Sequence, residues 1–187
     1  FLEGKRLNTK SPKHTMNRGV AFLTNDRKDA GIFELMTVKE NLSINIISKL
    51  LKFFGWIDSK KENQLLSKFT DYMNIKYADE SQKVMYLSGG NQQKIILGRW
   101  TSEKMVTKIL ILDEPTKGID VGTKAEVYQM VCDFARLGIG VIFISSELTE
   151  VLNVSDNIIV MHNGRITGKV TRQEATEERV LELAMHD

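Results

Sequence analysis

The sequence predicts an α/β fold with a mainly parallel sheet, joined to an all-helical block. Three observations carry this. Compact apolar runs of strand length, such as Lys108–Leu112 and Val141–Ile144, alternate with helical periodicity after Tyr86. Residues of roughly 37 to 80 show helical patterns and no strand signal. The 187 residues, 42% hydrophobic and 27% charged, have the balance of a globular protein able to bury a core without disulfides or a structural metal.

Taken in order, Val20-Ala21-Phe22-Leu23 reads as a buried strand ending in a polar loop, Thr24 to Ala30. Thr37-Val38-Lys39-Glu40 fits a capping box, and Leu42, Ile46, Ile47, Leu50 and Leu51 follow at helical spacing. A second box is expected at Ser59-Lys60-Lys61-Glu62, opening a helix with Leu65, Leu66, Phe69, Tyr72 and Met73 on one face. Leu87-Ser88-Gly89-Gly90 precedes a helix expected to reach about Lys104. Lys108-Ile109-Leu110-Ile111-Leu112 is a buried-strand candidate ended by Asp113-Glu114-Pro115. Val127, Met130, Val131 and Phe134 mark a helix that Gly138 and Gly140 stop. After the strand Val141–Ile144 come a short helix, Leu148 to Asn153, and a strand from Asn157 to Met161. Asn163-Gly164 turns that strand into a hairpin through Arg165-Ile166-Thr167. A last helix is expected near Thr171, with Glu174 completing a third box.

Composition excludes some function classes. Lys+Arg is 26 and Asp+Glu is 24, a formal net charge of +2, which argues against a nucleic-acid-coating protein. No apolar run is long enough to cross a membrane, and the first residues show no basic region followed by an apolar stretch. Cys132 is alone, so no disulfide framework or cysteine metal site is expected, which suits the cytosol. Its setting among helical apolar residues favours a packed thiol over a nucleophile. His14 and His162 read as surface residues.

Two segments carry chemistry. A strand that ends in adjacent carboxylates places them where ligands gather in open α/β sheets. A hard cation such as Mg²⁺ takes one or two carboxylates and completes its shell with substrate phosphates. Asp113 would contact that ion, and Glu114 would orient and polarise an attacking water. A solvated acidic turn is the other reading of the same residues. The second segment is Ser88-Gly89-Gly90-Asn91-Gln92-Gln93. Glycines at a helix start let backbone approach a ligand, and free first-turn amides make an anion site. A plain Ser/Gly helix cap is the alternative.

The two segments together resemble the ATP-binding-cassette (ABC) ATPase family. Ser88-Gly89-Gly90-Asn91-Gln92-Gln93 stands about twenty residues before the strand ending Asp113-Glu114-Pro115. In the family the first is the signature motif and the second the Walker B motif. Gly118-Ile119-Asp120 is similar to the family's D-loop, and the Asn163-Gly164-Arg165 hairpin to the strand pair that closes its core. Residues 37–80 resemble its α-helical subdomain, so essentially the whole chain is covered. The implied organisation is a partial cassette, with an α/β core over 1–36 and 87–187 and an α-helical subdomain over 37–86. Asp26-Arg27-Lys28, Gly31-Ile32-Phe33, Thr37–Asn41 and Ile144–Leu148 look like the second cassette of monosaccharide-type importers, in which two cassettes share one polypeptide.

The resemblance implies ATP and Mg²⁺ as cofactors and ATP hydrolysis coupled to uptake of a sugar or similar small solute. It implies Glu114 as the catalytic carboxylate and Asp113 as the metal ligand. Ser88, Gly89, Gly90, Asn91, Gln92, Asn25, Asp120 and Ser146 are the implied nucleotide-site residues. The implied partners are a second ABC cassette and a membrane permease at the cytoplasmic face of the membrane, with no nucleic acid. Such cassettes work as head-to-tail pairs, so Ser88, Gly89 and Gly90 would serve the partner cassette's nucleotide. Phe53-Phe54-Gly55-Trp56 suits either a permease contact or an internally packed helix end.

Three departures qualify the resemblance. No G-x-x-x-x-G-K-[ST] loop occurs in these residues. In the family that P-loop lies upstream of the part matching Phe1–Lys5, so the chain reads as the C-terminal part of a cassette and is expected to bind ATP poorly by itself. The Q-loop position holds Asn25 in place of the usual Gln. The position of the switch histidine holds Ser146, whose hydroxyl has no imidazole chemistry. These losses favour a weaker catalytic site on this cassette. A degenerate cassette that only dimerises or regulates, and a soluble ABC protein unlinked to transport, are the competing readings.

Overall fold

Three strands form the central sheet of the computed structural model, which describes residues 1–52, 55–79, 81–100 and 107–185. They are β1 (Val20–Leu23), β2 (Ile109–Asp113) and β3 (Gly140–Ile144), ordered β1-β2-β3 in a parallel sheet. β1 and β2 pair in register from Val20↔Ile109 to Leu23↔Leu112. Each apolar run expected as a strand is one. Their burial alternates, however, and does not cover both faces. Ala21, Leu23, Leu110 and Leu112 are sealed, whereas Phe22 and Ile142 are each 51% exposed. Period-two burial replaces the continuous burial expected of these runs.

The chain divides into two compact units, Phe1–Ile142 and Phe143–Asp187. In the first, a short helix α1 (Pro12–Asn17) precedes β1 and is capped by Ser11. It has no apolar periodicity and no buried residue, so no pattern announces it. The expected polar loop after β1 contains a π-helical turn, Arg27–Gly31. The helical block holds α2 (Val38–Ser43), a 3₁₀ turn (Ile44–Ile46), α3 (Ile47–Leu50) and α4 (Ser59–Tyr72). α2 starts on the expected capping box, with Thr37 and Glu40 bonding reciprocally. The second box is not formed. Asp58 caps α4 by accepting from the Lys61 amide at 3.3 Å, and Glu62 is buried, accepting from Ser43 Oγ at 2.8 Å. A carboxylate one residue upstream of Ser59 takes the cap, which frees Glu62 to tie α4 to α2.

α5 (Gly89–Trp100) runs through the centre of this unit, with Ile95, Ile96 and Leu97 buried. Its expected extension to about Lys104 falls outside the described residues. Gly98 permits close packing: a Cβ there would lie 3.0 Å from Met73 Sδ and 3.1 Å from Leu42 Cδ2. α6 (Val121–Arg136) buries Val127, Met130, Val131 and Phe134 at the predicted spacing and ends at Leu137, with Gly138 at φ 86° just beyond. Cys132 is half-buried on α6, not sealed in the core.

The second unit contains α7 (Leu148–Val154), β4 (Asn157–His162), β5 (Arg165–Thr171) and α8 (Glu177–Met185). β4 and β5 form the expected antiparallel hairpin, turning at Asn163 (φ 46°) and Gly164 (φ 77°). Ile158, Val160, Val170 and Val180 make its core. The Thr171–Glu174 bonds form as expected, at 2.7 and 3.1 Å, but they close a turn. α8 begins later, where Thr176 Oγ1 accepts from the Arg179 amide at 3.2 Å. Thr171 is the last residue of β5, so the same side-chain pattern caps a turn and not a helix.

Among the described residues no helix is long and apolar enough to cross a membrane. Trp56 is 76% exposed, so it does not pack inside; its neighbours Phe53 and Phe54 lie outside the described residues.

Candidate functional site

The candidate site in the first unit is set by the carboxyl ends of β1 and β2. The Leu23↔Leu112 register brings the residues after each strand to one sheet edge. Asn25 follows β1 there in an exposed bend, Asp113 ends β2 and Glu114 follows it, both half-buried. Glu114 has φ 47°, and it precedes Pro115. A non-glycine residue held in left-handed backbone before a proline is strained, and such strain concentrates where a side chain must be aimed. The turn is locked from below: Pro115 and Thr116 are buried, and the Lys117 amide donates to Glu114 O at 3.1 Å. The predicted acidic pair is therefore held on a fixed turn, not on a loose solvated one.

Asp120, at the end of the same segment, caps α6. Oδ1 accepts from the Thr123 amide at 3.0 Å and Oδ2 from Thr123 Oγ1 at 2.7 Å. The bonds from the Thr123 hydroxyl and amide hold its carboxyl below the usual carboxylate range.

Ser88 stands exposed immediately before α5. Its Oγ accepts from the Asn91 amide at 3.4 Å and from Asn91 Nδ2 at 3.1 Å. A hydroxyl that accepts in this way keeps its own O–H to donate. The first backbone bond of the helix joins the Gln92 amide to Ser88 O at 3.0 Å, so Gly89 and Gly90 occupy the first turn, where amides face outward. Gly90 is buried because α5 starts directly against α6. A Cβ on Gly90 would overlap Cγ2 of Thr123 and lie 2.8 Å from its Oγ1. Asn91 Oδ1 accepts from the Lys76 amide at 3.1 Å. Gln92 is buried, with Nε2 donating to Val84 O at 3.1 Å. Both amide side chains thus shape the turn from within.

Ser146 belongs to the second unit, where it is exposed in the turn between β3 and α7. Beside it, Ser145 Oγ donates to the buried Glu150 at 2.7 Å and accepts from the Glu147 amide at 3.0 Å. His162 bonds Asn163 in the hairpin turn at 2.9 Å.

Three residues missed by motif reading prove central to the site's geometry. Thr123 joins the Asp120 cap to Gly90. Lys94 is buried in α5; its ammonium donates to Asn74 O at 3.2 Å and pairs with Glu126 of α6. Arg27 donates from Nη1 to Gly89 O at 3.2 Å. Arg27 lies in the Asp26-Arg27-Lys28 stretch and Lys94 closes the Leu87–Lys94 stretch, whereas Thr123 lies in no motif. A polar cavity of about 170 Å³ lies against this turn, lined by Ser88, Asn91, Lys94, Thr123 and Glu126 among others.

The residues present fit a metal-nucleotide ligand. Among the described residues no group of three His, Cys, Asp or Glu side chains gathers to hold a metal, so a cation here would take one or two carboxylates and draw its other ligands from phosphate. A helix start with two glycines and a donating serine accepts an anion.

A parallel α/β frame with adjacent carboxylates at the end of β2 and a helix that opens on two glycines suits a nucleotide-binding cassette. The chain belongs to the ABC transporter family, whose model matches residues 1–117. It is 44% identical over 181 residues to the ribose import ATP-binding protein RbsA of Caldanaerobacter subterraneus subsp. tengcongensis, covering 97% of this chain and 36% of that protein. It is 44% identical over 184 residues to the arabinose import ATP-binding protein AraG of Paraburkholderia xenovorans, covering 98% of this chain and again 36% of the relative. The chain therefore spans little more than a third of these relatives. Among solved structures, a nucleotide-free ATP-binding cassette from an ABC transporter superposes with TM-score 0.74 at 22% identity, over 99% of this chain and 76% of that one. A dimeric post-hydrolysis cassette bound to ADP and phosphate gives 0.69 at 18% identity, over 86% and 66%. These two likenesses establish the ABC cassette fold.

Proposed function

We propose that the chain is part of the second cassette of a two-cassette importer ATPase, coupling ATP hydrolysis to uptake of a sugar. The observation that carries this is the joint placement, in one unit, of the Ser88–Gly90 turn at the start of α5 and the strained Asp113-Glu114 turn at the end of β2. The relatives named for ribose and arabinose import support the solute class. The half-exposed sheet face at Phe22 and Ile142 suits a cassette whose P-loop section lies outside these residues.

In this reading Asp113 would hold Mg²⁺, and a bound Mg²⁺ would supply charge neutralisation for phosphoryl transfer. Glu114 accepts a proton from, and orients, the water that attacks. Ser88 donates its hydroxyl, and Gly89 and Gly90 their amides, to the nucleotide of the partner cassette. Asn25 lies at the same sheet edge as Glu114 and offers a shorter amide than glutamine. Ser146 offers a hydroxyl where an imidazole is usual. Asp120, Asn91 and Gln92 fix the two turns. The site owned by this cassette is then the weaker catalyst, and the site completed by its signature does most of the turnover. The membrane permease and the cytoplasmic membrane face follow from the same reading.

Nucleotide binding tests it. The purified chain is expected to bind MgATP weakly alone, and to raise the ATP affinity and turnover of a P-loop-bearing cassette mixed with it. No effect on the mixed cassette favours a remnant without catalytic function. Copurification of a membrane permease with the intact polypeptide separates a transport role from a soluble one.

A further inference from the structure

The loop carrying Asn25 and the turn carrying Ser88 are fastened to each other through Arg27 and Gly89. The π-helical turn Arg27–Gly31 lies along α5 and is held by it at both ends. At the near end, Arg27 Nη1 donates to Gly89 O at 3.2 Å. A Cβ on Gly89 would lie 3.1 Å from both Nη1 and Nη2, so the guanidinium rests directly on the glycine. At the far end, Arg99 Nη1 donates to Gly31 O at 3.1 Å. A Cβ on Gly31 would lie 3.2 Å from Ile96 Cδ1. Arg99 is anchored further by Asn41, through Nε to its carbonyl at 3.1 Å and Nη2 to Oδ1 at 2.8 Å. The far end is therefore rigid, and the near end depends on one side chain.

That side chain is not fully engaged. Arg27 Nε is buried and has no hydrogen-bond partner. A buried donor left over at a functional turn calls for an explanation. π-turns inserted among regular elements recur at functional sites, where they re-aim residues at a local cost. Here the turn directs Arg27 back across 62 residues of sequence to the first residue of α5.

We propose that Arg27 is a positioning residue, transmitting displacement of the Asn25 loop to the Ser88–Gly90 turn. The proposal rests on the ATPase reading above for the meaning of those two ends. The Asn25 loop belongs to the nucleotide site this cassette owns, and Ser88–Gly90 to the site it completes for its partner. A rigid contact between them lets occupancy of one site set the geometry of the other. Because Gly89 bonds Arg27 through its carbonyl, movement of the guanidinium turns the peptide that leads into Gly90. Gly90 packs so closely on Thr123 that a Cβ there would overlap the threonine, so the turn is seated on α6 and moves with it.

The test uses the intact polypeptide with three variants, Arg27→Met, Arg27→Lys and Arg27→Gln. Hydrogen exchange should quicken at least tenfold in Arg27→Met across both 24–31 and 88–92, with 109–113 unchanged. ATP hydrolysis should show kcat lowered about tenfold with KM within twofold, and Arg27→Lys should keep a third or more of the wild-type kcat. If Arg27→Met does not fold, Arg27→Gln carries the same readouts. Unchanged exchange at 88–92, exchange raised uniformly over the chain, or a kcat within twofold of wild type overturns the proposal. A polypeptide that hydrolyses no ATP contradicts the ATPase reading instead, and the exchange pattern still decides whether Arg27 links the two segments.

Discussion

Gly90 and Thr123 meet with no space between them: a Cβ on the glycine would lie 2.9 Å from the threonine Cβ and overlap its methyl group. The first turn of α5 is thereby seated on the first turn of α6, and α6 is capped by Asp120, whose carboxylate holds the same threonine. The signature-like turn and the Asp120 segment form one packed unit.

Gly90→Ala should therefore cost about 1–3 kcal/mol through overpacking. Adding Thr123→Ala removes the methyl and hydroxyl but not the close Cβ, so it should recover only part of the loss. Urea unfolding of the two variants against wild type measures both quantities.

The Lys94–Glu126 pair should respond asymmetrically. Lys94's side chain is 5% exposed and Glu126's 50%. Glu126→Gln deprives a buried ammonium of its counter-charge and should cost about 1–3 kcal/mol, less than a fully buried pair because Glu126 already reaches water. Lys94→Met leaves a carboxylate that solvent can take up and should cost less than Glu126→Gln. Equal losses in denaturant unfolding would show that the burial asymmetry has no energetic consequence.

Acid should loosen the start of α2. Glu40 is held below its ordinary value of 4.5 by bonds from the Thr37 amide and hydroxyl. A folded-state pKa below the unfolded one contributes stability that is present in full above pH 4.5 and disappears as pH falls through the lowered value. Glu40→Gln should flatten the fall in stability below pH 4.5 relative to wild type. Stability measured from pH 3 to 6 by chemical denaturation checks this; parallel curves would exclude Glu40 as a contributor.

The strands were legible because apolar runs of four or five residues between turn residues have few other uses. Thr37–Glu40 was legible because its bonds are local. Ser59 and Thr171 misled for the same reason: a box pattern names a possible local bond, but Asp58 competes for the first cap and β5 occupies Thr171. The acidic turn and the glycine turn could be singled out as candidates because each lies within a few residues. The links between segments were not. Arg27–Gly89, Gly90–Thr123 and Lys94–Glu126 join positions tens of residues apart, and nothing in a linear pattern couples them. Half-exposure of Phe22 was hidden likewise, since a run of apolar residues does not say which faces are covered.

The division of labour between the two sites is tested most directly by ATP turnover of the intact two-cassette polypeptide carrying either Ser88→Arg or Glu114→Gln. Ser88→Arg, which places a bulky cation in the turn that completes the partner's site, should lower turnover at least about tenfold, on the scale of losing a transition-state hydrogen-bond donor. Glu114→Gln should retain more than half, because it acts on the site whose Q-loop position holds Asn25 in place of glutamine. Abolished turnover in Glu114→Gln with near-normal turnover in Ser88→Arg would contradict the assignment of the weaker catalytic site to this cassette.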